Sequence, residues 1–270
     1  MNATRIIDGR AVAARIREAA ASRIAALGFT PGLGVVLVGD DPASHLYVAL
    51  KEKACREAGI LFVRRDFPAD APPSAILDAV RAFDADDAID AILVQLPLPP
   101  QMDADTVIAA IDPAKDVDGF HPENLKAYLD GRGGAPGLVE AISALLDEGG
   151  APARGMSCVL AKSPVFSMPL ETMLERRGLP PTDDCRDADV VVTALGLPGS
   201  LAGNAIKPGA VVIDVGTTRV LGKTVGDADA ASLEGVAAAL TPVPGGVGPM
   251  TIALLLKKTV DLAEARRNGK

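Results

Sequence analysis

The strongest constraint on the fold of this 270-residue chain is a repeated alternation of short apolar runs with longer amphipathic segments. Gly32 to Gly39 (GLGVVLVG), Ala88 to Gln95 (AIDAILVQ), Asp189 to Ala194 (DVVVTA) and Ala210 to Val215 (AVVIDV) are too short for stable helices and are rich in β-branched residues. Near-continuous apolar runs of this length read as strands buried on both faces of a sheet. Ile60 to Phe67 and Ser157 to Ala161 read as two more strands. Helices are expected over 11–27, 44–58, 73–83, 103–111, 137–147, 168–177 and about 250–266. The second of them is started by Asp41-Pro42 and Ser44 and stopped by Gly59. Strands alternating with helices predict an α/β protein built of parallel layers. A stretch rich in Gly, Ala and Pro between residues 120 and 155 (DGRGGAPG, then DEGGAPARG) marks a domain boundary.

Composition removes several classes of function. Lys and Arg number 27 against 35 Asp and Glu, a net charge of −8, whereas phosphate-backbone binding needs clustered cations. Aromatic residues make up only 3%, which leaves no platform for stacking bases, so no nucleic-acid partner is expected. His45 and His121 lie far apart, so there is no H-E-x-x-H site and no metal is expected. Cys55, Cys158 and Cys185 form no C-x-x-C pair and cannot complete an even disulfide framework, which fits a reducing cytoplasm. No signal-peptide core precedes Asp8-Gly9-Arg10, and no apolar run approaches the roughly 18 residues that span a bilayer. A soluble, cytoplasmic protein is the expectation.

Four segments carry chemistry-bearing residues. Tyr47 and Lys51 stand at i and i+4 on a helix and share one face. The lysine becomes an acid/base group if burial lowers its pKa; Tyr and Lys at this spacing also occur by chance. Val94-Gln95-Leu96-Pro97-Leu98-Pro99 ends an apolar strand, where ligands of open α/β sheets bind, although a strand-end turn explains it as well. Lys115-Asp116-Val117-Asp118-Gly119-Phe120 places two carboxylates in a tight loop. It lacks the remaining ligands of an EF-hand and reads either as an acceptor for an amino-heterocycle or as a solvated turn. Thr241-Pro-Val-Pro-Gly-Gly-Val-Gly-Pro-Met-Thr251 has neither P-loop nor G-x-G-x-x-G spacing, yet its glycines let the backbone approach a ligand closely.

Taken in order, these segments resemble the bifunctional methylenetetrahydrofolate dehydrogenase/methenyltetrahydrofolate cyclohydrolase family. Asp8-Gly9, Lys207 to Gly216 and Val225-Gly226-Asp227 match it too. The resemblance implies two three-layer parallel α/β domains flanking a cleft, the C-terminal one Rossmann-like: residues 1–122, joined by the C-terminal helix 250–270, and residues 123–249. It implies hydride transfer from 5,10-methylenetetrahydrofolate to NADP, then hydration and ring opening to 10-formyltetrahydrofolate. Lys51 would be the acid/base group, Gln95 its hydrogen-bonding partner, Tyr47 a stacking surface for the folate and Asp118 the holder of the pterin. Val94, Leu96, Pro97, Pro244, Gly245, Gly246 and Val247 would line the substrate site. Lys162, Ser163, Ala194, Gly216 and Thr217 would meet the cofactor. A neutral amine suits an electrophilic iminium carbon, which a permanently charged arginine would not. The family also implies a homodimer formed through the cofactor domain.

The departures from the family fall in the cofactor half. Its Gly-Arg-Ser-x-x-Val-Gly-x-Pro loop corresponds to Ala161-Lys162-Ser163-Pro164-Val165-Phe166-Ser167-Met168-Pro169, without either glycine. The next family strand and its Cys-His-Ser-x-Thr-like loop have no counterpart, since only Gly178 to Arg186 intervenes. Asp183 and Asp184 are expected near the cofactor phosphates, which they would repel. Two readings follow: a dehydrogenase/cyclohydrolase with a modified NADP or NAD site, or a cyclohydrolase alone or non-catalytic folate-binding homologue that has lost the cofactor.

Overall fold

The computed structural model describes residues 3–268. The first half contains β1 (Arg5–Ile6), α1 (Gly9–Ala26), β2 (Gly32–Val38), α2 (Pro42–Ala58), β3 (Leu61–Phe67), α3 (Pro73–Asp84), β4 (Ala91–Val94), α4 (Ala104–Ile108) and α5 (Pro122–Leu129). Then follow α6 (Gly137–Glu148), β5 (Ser157–Ala161), α7 (Pro164–Arg176), β6 (Val190–Ala194), β7 (Val211–Asp214), β8 (Thr218–Val220), β9 (Lys223–Val225), α8 (Ala230–Leu233), β10 (Ala239–Leu240) and α9 (Val247–Asn268). The chain divides into two compact units, residues 1–14 with 138–251 and residues 15–137 with 252–270.

The unit of residues 15–137 and 252–270 is built on a parallel three-stranded sheet in the order β3-β2-β4. Every residue of β2 is buried, because alternate side chains enter two different cores. Leu33, Val35 and Leu37 pack with Ala20, Val48, Leu255 and Leu256, while Val36 and Val38 pack with Ile76, Val80, Phe83 and Val107. Helices on both faces explain why the strand has no polar side. Gly34 makes room for the Phe83 ring, which lies 2.8 Å from where a Cβ would sit. The end of α9 is fastened here by the fully buried Asp90, which accepts from the Gly32 N–H at 3.0 Å, from Arg266 at 2.8 Å and from Arg267 at 2.6 Å.

The unit of residues 1–14 and 138–251 carries a five-stranded parallel sheet in the order β1-β10-β7-β6-β5. Val191, Val212 and Leu240 pack against Leu201, Ile206 and Leu233, and Ile142, Leu145 and Leu146 bury the apolar face of α6. Helix α7 starts at Pro164, four residues before the expected Met168, because proline at the first helical position is pre-organised for that role. The two-residue strands β1 and β10 and the β8–β9 hairpin are too short to leave a periodic signal.

The cysteine expectation is corrected here. Cys158 and Cys185 form a disulfide, and Cys55 is the free, buried thiol. Parallel pairing of Ser157 with Val190 brings the start of β5 beside the loop that precedes β6. Pairing is a property of that register, which a separation of 27 residues does not announce.

Candidate active site

Helix α2 is placed by its cap. Asp41 accepts from the Ser44 N–H at 2.9 Å and the Ser44 hydroxyl at 2.8 Å, bonds that hold its carboxyl below the usual range. Starting there, the helix sets Tyr47 and Lys51 on one face, both half-buried. Strand β4 supplies the partner. Gln95 follows its last residue, still bonded to the Val36 carbonyl at 2.9 Å. Its Oε1 accepts from Lys51 Nζ at 2.8 Å, and its amide nitrogen donates to the Leu96 carbonyl at 2.6 Å. The amide is thus held at both ends. Burial lowers the Lys51 pKa, while the nearby Asp118 pulls it back up. One turn beyond, burial pushes the Cys55 thiol up to about 12, so it stays neutral beside the lysine.

The Lys115-Asp116-Val117-Asp118-Gly119 segment separates into three jobs. Lys115 is buried and donates to the carbonyls of Phe83 at 3.0 Å, Asp84 at 2.8 Å and Asp86 at 3.0 Å, closing the end of α3. Asp116 accepts from the N–H groups of Gly119 at 3.1 Å and His121 at 2.8 Å and from Asn124 at 3.0 Å, which folds the turn. Gly119 has φ 79°, and a Cβ there would meet Pro136 Cα at 2.9 Å. Asp118 alone is left with a carboxylate open to solvent. The protein crowding its rim raises its pKa, against the pull of Lys51. It borders an apolar hollow formed by Val94, Leu96, Ile108 and Phe120 at the carboxyl end of β4. No group of three His, Cys, Asp or Glu among the described residues is placed to hold a metal.

In the other unit the carboxyl ends of β6 and β7 are organised by two buried carboxylates, Asp214 and Asp227. Asp227 gathers the N–H groups of Leu195, Gly196 and Leu197 together with the Thr193 hydroxyl. Asp214 gathers those of Gly216, Asp227 and Ala228, and its own N–H donates to Thr241 Oγ1. Burial raises the Asp214 pKa against those three backbone donors. Glycine is required at two points of this network. A Cβ at Gly226 would stand 2.0 Å from Asp214 Oδ2, and one at Gly216 would stand 2.4 Å from Asp227 Cγ. The Thr241–Thr251 loop is also a close backbone approach, with Gly9 packed on the Gly246 carbonyl, 1.9 Å from its would-be Cβ. Pro244 is exposed, whereas Gly245, Gly246 and Val247 are buried.

Residues 7–118 match the tetrahydrofolate dehydrogenase/cyclohydrolase catalytic domain, and residues 136–267 match the NAD(P)-binding domain of the same family. The chain belongs to the tetrahydrofolate dehydrogenase/cyclohydrolase family. The bifunctional protein FolD of Bordetella petrii is 47% identical over 276 aligned residues, covering 96% of this chain and 94% of that protein. The bifunctional dehydrogenase/cyclohydrolase of Campylobacter jejuni superposes with a TM-score of 0.91 at 35% identity, covering 97% of this chain and 99% of that one. The Trypanosoma brucei enzyme, solved with NADP and an inhibitor, superposes with a TM-score of 0.94 at 33% identity and covers 99% of each chain.

Within this tetrahydrofolate dehydrogenase/cyclohydrolase frame, the divergent segment 161–169 keeps its place. Ser163 caps α7 at the carboxyl end of β5, and its hydroxyl makes no capping bond. Lys162 and Ser163 are exposed beside the first turn of the helix, where N–H groups lack intrahelical partners. An unused hydroxyl and a cation at a helix start suit a phosphate, so the residues present fit a dinucleotide, even though Pro164 offers no N–H. Ala194 is half-buried at the end of β6; Thr217 is exposed after β7, and Gly216 lies buried against Asp227.

One expectation about this half is wrong. Asp183 and Asp184 do not lie near the carboxyl ends of the strands. The Ser157–Pro181 bridge puts residues 181–184 beside the amino end of β5, the opposite edge of the sheet. Asp184 there pairs with Arg186, whose bonds lower its pKa to about 2. Beside β5 this stretch forms that bridge and the Cys158–Cys185 disulfide, but no strand of its own. Sequence reasoning assigned no role to Asp214, Asp227, Thr193 or Thr241. The available signal was an aspartate at the end of an otherwise apolar run, AVVIDV, which must be satisfied when buried.

Proposed function

We propose that this chain oxidises 5,10-methylenetetrahydrofolate with NADP and hydrolyses the resulting methenyl cation to 10-formyltetrahydrofolate. The observation that carries the reading is the contact of Lys51 Nζ with Gln95 Oε1 at 2.8 Å, on a lysine whose pKa is lowered by burial. A lysine whose pKa is lowered by burial gives up its proton more readily than a free one, and so is able to take one from water attacking the electrophilic carbon and to return it to the ring nitrogen as the carbon–nitrogen bond opens. Gln95 holds the amine in place through both ends of its amide. Tyr47, on the same helix face, stacks on the folate, and the Asp118 carboxylate accepts from the amino-heterocycle of the pterin. Val94, Leu96 and Pro97 shape the substrate site.

NADP, when bound, supplies the hydride acceptor. Lys162 and Ser163 hold its phosphates at the start of α7, and Ala194, Gly216 and Thr217 border it at the ends of β6 and β7. Residues 1–122 with 250–270 form the folate-binding domain in this reading, and residues 123–249 the dinucleotide domain. A homodimer in the cytoplasm completes it; no helix among the described residues is long and apolar enough to cross a membrane. Light scattering and cell fractionation check these two points.

The second reading, cyclohydrolase activity alone, is favoured by a single observation, the proline at the first position of α7 in place of an N–H donor. Two spectrophotometric assays on one preparation separate the readings. NADP-dependent formation of the methenyl product is expected together with its hydrolysis, and hydrolysis without the first step would leave the second reading standing.

A further inference from the structure

We infer that Asp227 is a positioning residue for the dinucleotide, folding the loop Leu195–Leu197 into the surface on which the cofactor lies. The inference rests on the reading that this unit binds NADP. The carboxylate is fully buried and accepts four donors: Leu195 N–H at 2.6 Å, Gly196 N–H at 3.2 Å, Leu197 N–H at 2.7 Å and the Thr193 hydroxyl at 3.1 Å. Three successive N–H groups converge on one anion only if the chain turns sharply, and Gly196 does so with φ 63°. With its donors turned inward, the loop is locked from below. Its outer side is open: Gly196 is exposed, and no heavy atom lies within 4 Å of its would-be Cβ. This loop follows β6 at the carboxyl edge of the parallel sheet, where ligands of such sheets bind.

Asp227 is itself held rigidly. Its backbone N–H donates to Asp214 Oδ1 at 3.1 Å, while Asp214 also takes the N–H groups of Gly216 at 2.9 Å and Ala228 at 2.8 Å. One buried carboxylate therefore fixes the segment that carries the other, and the loops after β6 and β7 are set by a single network. Saturated by these donors, neither carboxylate has the open coordination that a metal would need.

The test is Asp227→Asn in the full-length protein, which keeps the shape and halves the acceptor capacity. Expected is a rise of about tenfold or more in the NADP Kd by calorimetry and in the NADP KM, because buried donors lose their partner. The KM for methylenetetrahydrofolate and the cyclohydrolase turnover are expected to stay within about twofold, a split that a general loss of stability would not produce. Should this variant fold poorly, Thr193→Val removes one donor without altering charge, and a rise of about threefold in NADP Kd is expected. An unchanged NADP Kd in either folded variant overturns the inference, as does a parallel loss of cyclohydrolase activity. If the unaltered protein binds no NADP, the functional reading falls and takes this inference with it, a result told apart by the wild-type titration.

Discussion

The two units of this molecule arrange their buried and half-buried polar groups with different parts of the chain. In the unit of β2, β3 and β4 the proposed chemistry lies in side chains: Lys51 on a capped helix, Gln95 at a strand end, and Asp118 on a turn folded by its neighbour Asp116. In the unit of β5, β6 and β7 the loops after the strands are shaped largely through backbone N–H groups, held from below by Asp214 and Asp227 and admitted by glycines at 216 and 226, with Lys162 and Ser163 adding side chains at the start of α7. Side-chain chemistry survives only if residue types are kept. Backbone chemistry tolerates new side chains, provided the buried groups that shape the loops remain. That difference accommodates a 161–169 segment that departs from the family pattern at Ala161, Lys162, Phe166 and Ser167 and keeps Ser163 and Pro169, while α7 still begins directly after Ser163.

Lys51→Met is expected to separate the two units most widely. Loss of about 10³-fold in methenyl hydrolysis is expected, with NADP affinity unaltered, since the acid/base group is removed and the backbone site is untouched. Next is Gly34→Ala, which forces a methyl against the Phe83 ring and is expected to cost about 2 kcal/mol of stability in urea unfolding, without moving NADP Kd. Gly226→Ala reverses that pattern: the new methyl overlaps Asp214, and about a tenfold weakening of NADP binding is expected with hydrolysis retained. Lys162→Ala is a smaller change, about threefold in NADP Kd and less at high salt, because the cation is exposed. Asp118→Asn is read as the pH profile of hydrolysis rather than as its size, because the same carboxylate is proposed to hold the pterin. The rate should rise with pH as Lys51 loses its proton. Removing the carboxylate that raises the Lys51 pKa moves that rise to lower pH, and a profile moved to higher pH would contradict the assignment.

Much of the first unit was legible in the sequence. The uninterrupted apolar run Gly32 to Gly39 announced a strand buried on both faces, and Asp41-Pro42 with Ser44 announced the start of the helix that carries Tyr47 and Lys51. Spacing also linked Tyr47 to Lys51, but it could not tell Asp116 from Asp118, because only the folded turn shows which carboxylate is consumed by backbone N–H groups. The second unit was less legible for the same physical reason. Asp183 and Asp184 follow α7 in sequence, yet the strand register carries them to the amino edge of the sheet, away from the loops that follow β5, β6 and β7. Cys158 and Cys185 were likewise joined by register rather than by spacing. Asp227 lies 31 residues beyond Gly196, a distance over which no motif reports a hydrogen bond.

Whether the altered segment 161–169 still belongs to a working cofactor site decides between the two readings of the molecule. Calorimetric titration of NADP into the same preparation that hydrolyses the methenyl substrate measures this directly. Saturable binding in the micromolar range is the expected result. Active hydrolysis with no heat of NADP binding up to millimolar concentration would contradict the claim that both halves work.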